Sequence, residues 1–325
     1  MQWKWKPLIP VAAVLAMAAV VGCGSDSGGS DSDGGYSIAL IPGQQDNGFY
    51  LSMQCGAKQQ AAKTNSTVDY QGPNEFEAQQ QIPIVNSVAA TSPDAALVVP
   101  VDESALVPPM EQMKDAGTKI VEVDTATNKE DLAVARVTSD NVQGGEIAAE
   151  EVGRQVSGDG SVLAISVSPG VTTNDDRIEG FEEGMKKLPN LKYIGVEYNN
   201  HVPAKATQIV NAALASNPDL KAIFTTDYLG AQGAIAAIQA AGKAGDVKIV
   251  TFDASEDVVQ ALKAGNVQAI VSQNPVEQGI LGVKEAVKAL EGEKTIPEQL
   301  VPTKVLTKDN IDDPDSKAYI YSGTC

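Results

Sequence analysis

Residues 116–124 read AGTKIVEVD and residues 244–253 read AGDVKIVTFD. In each, an Ala-Gly step leads into a short Ile/Val-rich run that ends on an aspartate, Asp124 or Asp253. Apolar β-branched runs of this length, entered from a turn, predict buried strands. The likeness extends upstream. Ser92-Pro93-Asp94 and Asn217-Pro218-Asp219 each lead into another strand, and the proline-to-aspartate intervals are 31 and 35 residues. The second half of the chain is therefore predicted to be built much like the first.

Outward from this pair, short β-rich runs alternate with helical stretches. Strands are predicted at 36–41, 95–99, 119–123, 162–167, 193–196, 222–225, 247–252 and 269–271, with helices at 49–63 and about 104–115. Pro83 lies inside another helical run and is expected to kink or shorten it. Strands alternating with helices give βαβ units and mainly parallel sheets, so the fold class is α/β with two similar doubly wound lobes. Open sheets of this kind bind ligands at the carboxyl ends of their strands, where Asp124 and Asp253 stand. The competing reading of each aspartate is a turn or helix-capping residue.

The chain has 325 residues, more than one core usually fills. Its 42 acidic against 24 basic residues give a net charge of −18, which repels phosphate backbones and anionic lipid heads and excludes nucleic acid as a partner. One histidine, His201, and three cysteines leave little for a metal site, and no cofactor is implied.

Lys4 and Lys6 precede an apolar run from Leu8 to Val21, followed by Gly22-Cys23. A basic start, a short apolar run and small residues before a cut make a secretory signal over 1–22; about 20 residues would be needed to span a bilayer. The small residue before Cys23 resembles a bacterial lipobox, with Val20 where Leu is usual. By that resemblance Cys23 is acylated, and the chain sits outside the cell membrane on a lipid anchor. Residues 24–35 contain only Gly, Ser and Asp and form a flexible tether. Cys55 and Cys325 then remain as an even pair in an oxidising compartment, and a disulfide is expected. A loop this long would be stabilised by about 4–5 kcal/mol in the chain-entropy model.

Taken in order, IALIPGQQDNGFY (38–50), PDAALVVPVD (93–102), KIVEVDTAT (119–127), TSDNVQGG (138–145), RIEGF (177–181), NPDLKAIFTTD (217–227), KIVTFDAS (248–255) and QAIVSQNP (268–275) resemble the type I periplasmic sugar-binding proteins, closest in pattern to their ribose-binding branch. These are the substrate-receiving components of ABC importers. The resemblance implies two lobes joined by three hinge crossings, near Asp140, near Gln273 and just before Lys308. The first lobe would be 36–139 with 274–307, and the second 140–273 with 308–325 as lobe and tail. The protein would be a monomer whose partners are a small sugar or polyol and a membrane permease.

The same resemblance assigns site residues. Asn47 matches a hydrogen-bonding position, and Phe49 and Tyr50 match an aromatic pair that contacts the sugar. Asp124 and Asp253 match strand-end aspartates, Arg177 the cleft arginine, Gln273 a hinge amide, and His201 an aromatic of the second lobe. Asp227 stands where the ribose-binding pattern has Asn, Thr125 where it often has Arg, and Val99 where it has an amide. These departures point away from ribose itself. Three aspartates against one arginine disfavour an anionic ligand, because burying like charges together is costly. A neutral monosaccharide or sugar alcohol is expected, with a small cationic solute as the alternative.

Catalysis is the first rival. The chain has no HExxH, P-loop or GxGxxG motif. A serine triad would have to use His201 in a predicted loop. A pair of glycosidase carboxylates is conceivable, but these positions bind rather than react in the matched family. A sugar-responsive transcription regulator would carry a basic helix-turn-helix where this chain has a secretory signal. A sensory binding protein, presenting its closed form to a membrane receptor, would use the same hinge.

Overall fold

The computed structural model describes residues 35–323 and 325, so the predicted signal and tether, with Cys23, lie outside the described residues. The first lobe opens with β1 (Ser37–Ile41), α1 (Gly48–Ala61), β2 (Thr67–Tyr70), α2 (Ala78–Ala90), β3 (Ala95–Val98), α3 (Val107–Asp115), β4 (Lys119–Val123) and β5 (Ala135–Ser139). The second continues through α4 (Asn141–Gln155), β6 (Gly160–Ser166), α5 (Thr172–Met185), β7 (Leu191–Tyr198), α6 (Pro203–Ser216), β8 (Leu220–Thr225), α7 (Tyr228–Ala240), β9 (Lys248–Phe252), α8 (Glu256–Ala264) and β10 (Ala269–Ser272). Then come α9 (Pro275–Leu290), β11 (Glu298–Val301) and β12 (Lys304–Leu306).

Two six-stranded sheets result, ordered β11-β5-β4-β3-β1-β2 and β12-β10-β9-β8-β6-β7. The repeat read from the sequence is thus a repeat of topology, with β4 and β9 in matching places. All pairings are parallel except β10 with β12. The central strands are buried on both faces, as βαβ crossovers require: β3, β6 and β10 are buried along their whole length. In the first lobe one face packs Leu40, Leu97, Val121 and Val283, and the other packs Ile41, Val98, Met110 and Ile120.

The chain passes between lobes at Asp140, where β5 of the first sheet gives way to α4 packed on the second. It returns at Gln273–Asn274, where β10 leads to α9 packed on α1. Both passages enter a capped helix: Asp140 accepts from the Gln143 amide at 3.1 Å and Asn274 from the Glu277 amide at 3.1 Å. Each entering helix lies unusually close to its neighbour. A methyl at Gly279 of α9 would strike the Met53 carbonyl of α1, and one at Gly180 of α5 would strike the Val142 carbonyl of α4. Only glycine allows that approach.

Several expectations are corrected. The third passage falls between Val301 and Lys304, not just before Lys308, because β11 pairs with β5 while β12 already pairs with β10. Residues 304–307 therefore belong to the second lobe, where Leu306 joins the core. The tail returns to the first lobe: Tyr321 packs in that lobe's core, and Cys325 lies against Cys55 of α1 with Cα atoms 5.4 Å apart. Pro83 does not shorten α2, which continues to Ala90. Its missing N–H costs one helical bond early in that helix. Helix α3 starts at Val107, not near Ser104, because the Asp102 carboxylate takes the Ser104 and Ala105 amides into a turn.

Candidate ligand-binding site

Each strand-end aspartate owes its direction to its backbone. Asp124 follows β4 with φ +64° and Asp253 follows β9 with φ +72°. This left-handed region is uncommon outside glycine, and aspartate is among the few residues that visit it. Each aspartate's own amide donates to the neighbouring strand, Asp124 to the Val137 carbonyl at 2.9 Å and Asp253 to the Val271 carbonyl at 3.1 Å. The turn thereby lifts both carboxyls off their sheets into the space between the lobes.

One cavity there is lined by Asn47, Phe49, Tyr50, Asp124, Arg177, His201, Asp227, Asp253 and Gln273. Phe76, Thr125, Thr173, Asn174 and Tyr228 complete the lining with Val167. Sequence reasoning missed Phe76, Asn174 and Tyr228. The last two stand in the first turns of helices that follow strands β6 and β8, the place where such sheets bind ligands. Phe76 sits in the loop before α2 and carries no comparable signal.

Arg177 is 3% exposed and held from three sides. Its Nε donates to Asn141 Oδ1 at 2.9 Å, one Nη to the Thr226 carbonyl at 2.8 Å, and its Cζ stacks 4.1 Å above the Phe252 ring. Nη2 is buried without a partner. Tyr50 Oη donates to Asp124 Oδ2 at 3.1 Å, and Gln273 Nε2 donates to Asp253 Oδ1 at 2.9 Å. The other oxygen of each carboxylate, Asp124 Oδ1 and Asp253 Oδ2, takes no hydrogen bond among the described residues.

Burial pushes the Asp124 carboxyl up to about 7; Arg177 opposes this, Asp253 adds to it as a like charge, and the Tyr50 hydroxyl pulls against it. Burial also raises Asp253, while Arg177, Gln273 and Tyr321 hold it down. The guanidinium is thus the counter-charge of both aspartates.

Asp227 and Asn47 serve local structure as well as the cavity. Asp227 caps α7, its oxygens accepting from the Leu229 and Gly230 amides at 3.3 and 3.0 Å. Asn47 caps α1 through the Phe49 amide, and its Nδ2 reaches across to Tyr228 Oη at 3.2 Å. His201 sits on a left-handed turn with its ring 5.4 Å from Phe76 of the other lobe. Its Nδ1 lies 3.0 Å from Asp227 Oδ2 without hydrogen-bond geometry, and Nε2 is buried with no partner. Phe76, His201, Asn47 and Tyr228 therefore meet across the two lobes at the edge of the cavity.

A model of the periplasmic binding protein domain matches residues 38–294. The chain belongs to the periplasmic binding proteins. Within that family it is 30% identical over 265 residues to the D-ribose/D-allose-binding protein of Pseudomonas aeruginosa, covering 79% of this chain and 82% of that protein. It is 27% identical over 272 residues to the ribose import binding protein of Salmonella typhimurium, covering 84% and 90%. An ABC transporter solute-binding protein from Agrobacterium vitis, bound with α-D-tagatopyranose, has a TM-score of 0.86 at 34% identity, with coverage of 88% and 99%. A second from that organism, with bound D-fucose, scores 0.82 at 31% identity, with coverage of 88% and 100%. The two sheets with their exchanged helices are the type I form of the fold. The chain is accordingly a sugar-binding component of the ABC-importer kind and not an enzyme.

Proposed function

We propose that this protein captures a neutral monosaccharide or sugar alcohol between its lobes, as a lipoprotein outside the cell membrane, and delivers it to an ABC permease. The observation that carries the ligand class is the polar set in the cavity: an arginine with one unpartnered buried nitrogen, facing aspartates that each keep a free oxygen. A polyhydroxylated ring offers donors to carboxylates and acceptors to a guanidinium. Phe49, Phe76 and His201 supply faces for its C–H surfaces. The excess of carboxylate over cation disfavours a sugar phosphate or sugar acid. Relatives named for ribose and allose, and neighbours holding tagatose and fucose, support the same class. Asn47, Phe49, Tyr50, Asp124, Arg177, His201, Asp227, Asp253 and Gln273 are proposed as the contact residues.

The mechanism is capture by closure. Ligand must prefer the closed arrangement, since equal affinity for both states shifts nothing. Thermal unfolding of the chain from residue 36 onward, scanned against pentoses, hexoses, sugar alcohols and amines, tests the reading. At a hundred times its dissociation constant a ligand stabilises by about 2.7 kcal/mol, or several degrees. A shift with a sugar or polyol is expected; a shift with amines alone would overturn the ligand class. Cys23 acylation and a Cys55–Cys325 disulfide complete the proposal. The intact mass of the exported protein reads both, and an unacylated N-terminus or two free thiols would remove the corresponding part.

A further inference from the structure

The last described residues form a strap across the back of the cavity. The Ser272 hydroxyl donates to the Tyr319 carbonyl at 2.5 Å, and the Tyr321 amide donates to the Ala254 carbonyl at 3.0 Å, both on the second lobe. The Tyr321 ring then enters the first lobe's core, edge-on to Phe49 at 5.2 Å. Beyond it, the Ser322 amide and carbonyl both engage the Ser52 hydroxyl on α1, at 3.0 and 2.9 Å. The strap thus links the two lobes close to Asp253.

At its centre, Tyr321 Oη donates to Asp253 Oδ1 at 2.8 Å and accepts from the Gln273 amide at 3.2 Å. Gln273 Nε2 donates to the same Oδ1, and Gln273 Oε1 accepts from the Ser139 hydroxyl at 2.8 Å. One phenol therefore joins Asp253 to the backbone at the second passage, and Gln273 carries the connection to Ser139 at the first. We propose that Tyr321 is a positioning residue of the ligand site, saturating Asp253 Oδ1 so that Oδ2 is held toward the ligand. This rests on the sugar-capture reading above.

The first lobe shows what the strap supplies. There, Tyr50, third residue of α1, donates to Asp124. The matching third residue of α5 is Asn174, whose Oδ1 is turned to the Thr226 hydroxyl at 2.5 Å. The second lobe's own helix thus offers no phenol to Asp253, and the strap brings one. The need is physical: Asp253 sits at φ +72°, a costly backbone state that persists only where its surroundings over-determine it. A charge-assisted bond from a buried hydroxyl does this directionally.

Tyr321→Phe keeps the ring and its contact with Phe49 and removes only the hydroxyl. Calorimetric titration of the full mature chain with D-ribose, D-allose, D-tagatose and D-fucose is expected to show roughly 10- to 30-fold weaker binding in the variant, a single lost charged hydrogen bond. Carbon-13 titration of the Asp253 carboxyl, assigned by its absence in Asp253→Asn, is expected to move upward in Tyr321→Phe. Packing alone would leave that titration unmoved. Unchanged affinity with an unchanged Asp253 titration would overturn the proposal. Should the wild-type chain bind none of the four sugars, the sugar reading loses its support, and the carboxyl titration still decides the role of Tyr321.

Discussion

Arg177→Met is expected to weaken ligand capture by roughly 100- to 1,000-fold while the protein stays folded. Two losses combine. The unpartnered Nη2 is the cavity's buried charged donor, and a hydrogen bond from a charged group contributes about 1.5–3 kcal/mol. The same guanidinium holds down both Asp124 and Asp253, so without it both carboxyls protonate more readily and become poorer acceptors. Methionine retains much of the stem's packing against Phe252 and buries no charge, which limits the cost to the fold. Asn141 and the Thr226 carbonyl each lose one donor, a smaller penalty. Arg177→Lys keeps the charge but cannot reproduce a planar fork already committed to two acceptors, so it should fall between the two. Calorimetry with whichever solute stabilises the wild-type chain reads the effect, and circular dichroism checks the fold. A methionine variant within threefold of wild-type affinity would take Arg177 out of the site.

What the sequence showed and what it hid follow from burial. KIVEVD and KIVTFD were legible because strands buried on both faces leave an uninterrupted apolar run, and because an aspartate closes each run. β2 and β11 were not. They lie at sheet edges and are half-exposed, reading TVDY and EQLV, patterns that a loop could share. The misplaced third passage has the same origin, since β11 and β12 are short and separated by Pro302-Thr303. The cavity residues easiest to name were Asp124 and Asp253, standing at conspicuous strand ends, while Arg177 before Gly180-Phe181 was named through the family resemblance. Phe76 and Tyr321 reach the cavity region from a loop and from the strap, through tertiary packing that no local pattern records. For Tyr321 one long-range hint existed. Joining Cys55 to Cys325 obliges the tail to return to α1, and Tyr321 lies four residues short of that junction.

Lowering the pH from 7.5 to 5 is expected to close the unliganded protein. With the lobes together, burial holds the Asp124 carboxyl at about 7, and Asp253 is raised for the same reason. In a cleft opened to water, a carboxyl returns toward its ordinary value of about 3.9. Between those values the closed form binds more protons than the open one, so acid favours closure. The advantage is fully present below about 3.9 and is lost as the pH rises through about 7. For Asp124 alone it amounts to on the order of 4 kcal/mol across that interval, a factor approaching 1,000 in the closed-to-open ratio. Several hydrogen bonds join the lobes at the edge of the cavity. Contacts there include the Asn47–Tyr228 bond, the Glu103 amide on the Gly170 carbonyl at 3.2 Å, and the Ala126 amide on the Thr172 hydroxyl at 3.1 Å. Small-angle scattering of the sugar-free protein should therefore show a smaller radius of gyration at pH 5 than at pH 7.5. Asp124→Asn removes this carboxyl's share, so its radius should change less with pH and already be small at pH 7.5. A wild-type radius independent of pH, matched by the variant, would mean that the burial of Asp124 does not change between these pH values, and would overturn the coupling of its protonation to closure. In the proposed capture, a sugar closes the same cleft from the opposite side of this balance: its hydroxyls would give the ionised carboxylate the donors that a proton otherwise replaces, so at neutral pH closure would depend on the ligand being there.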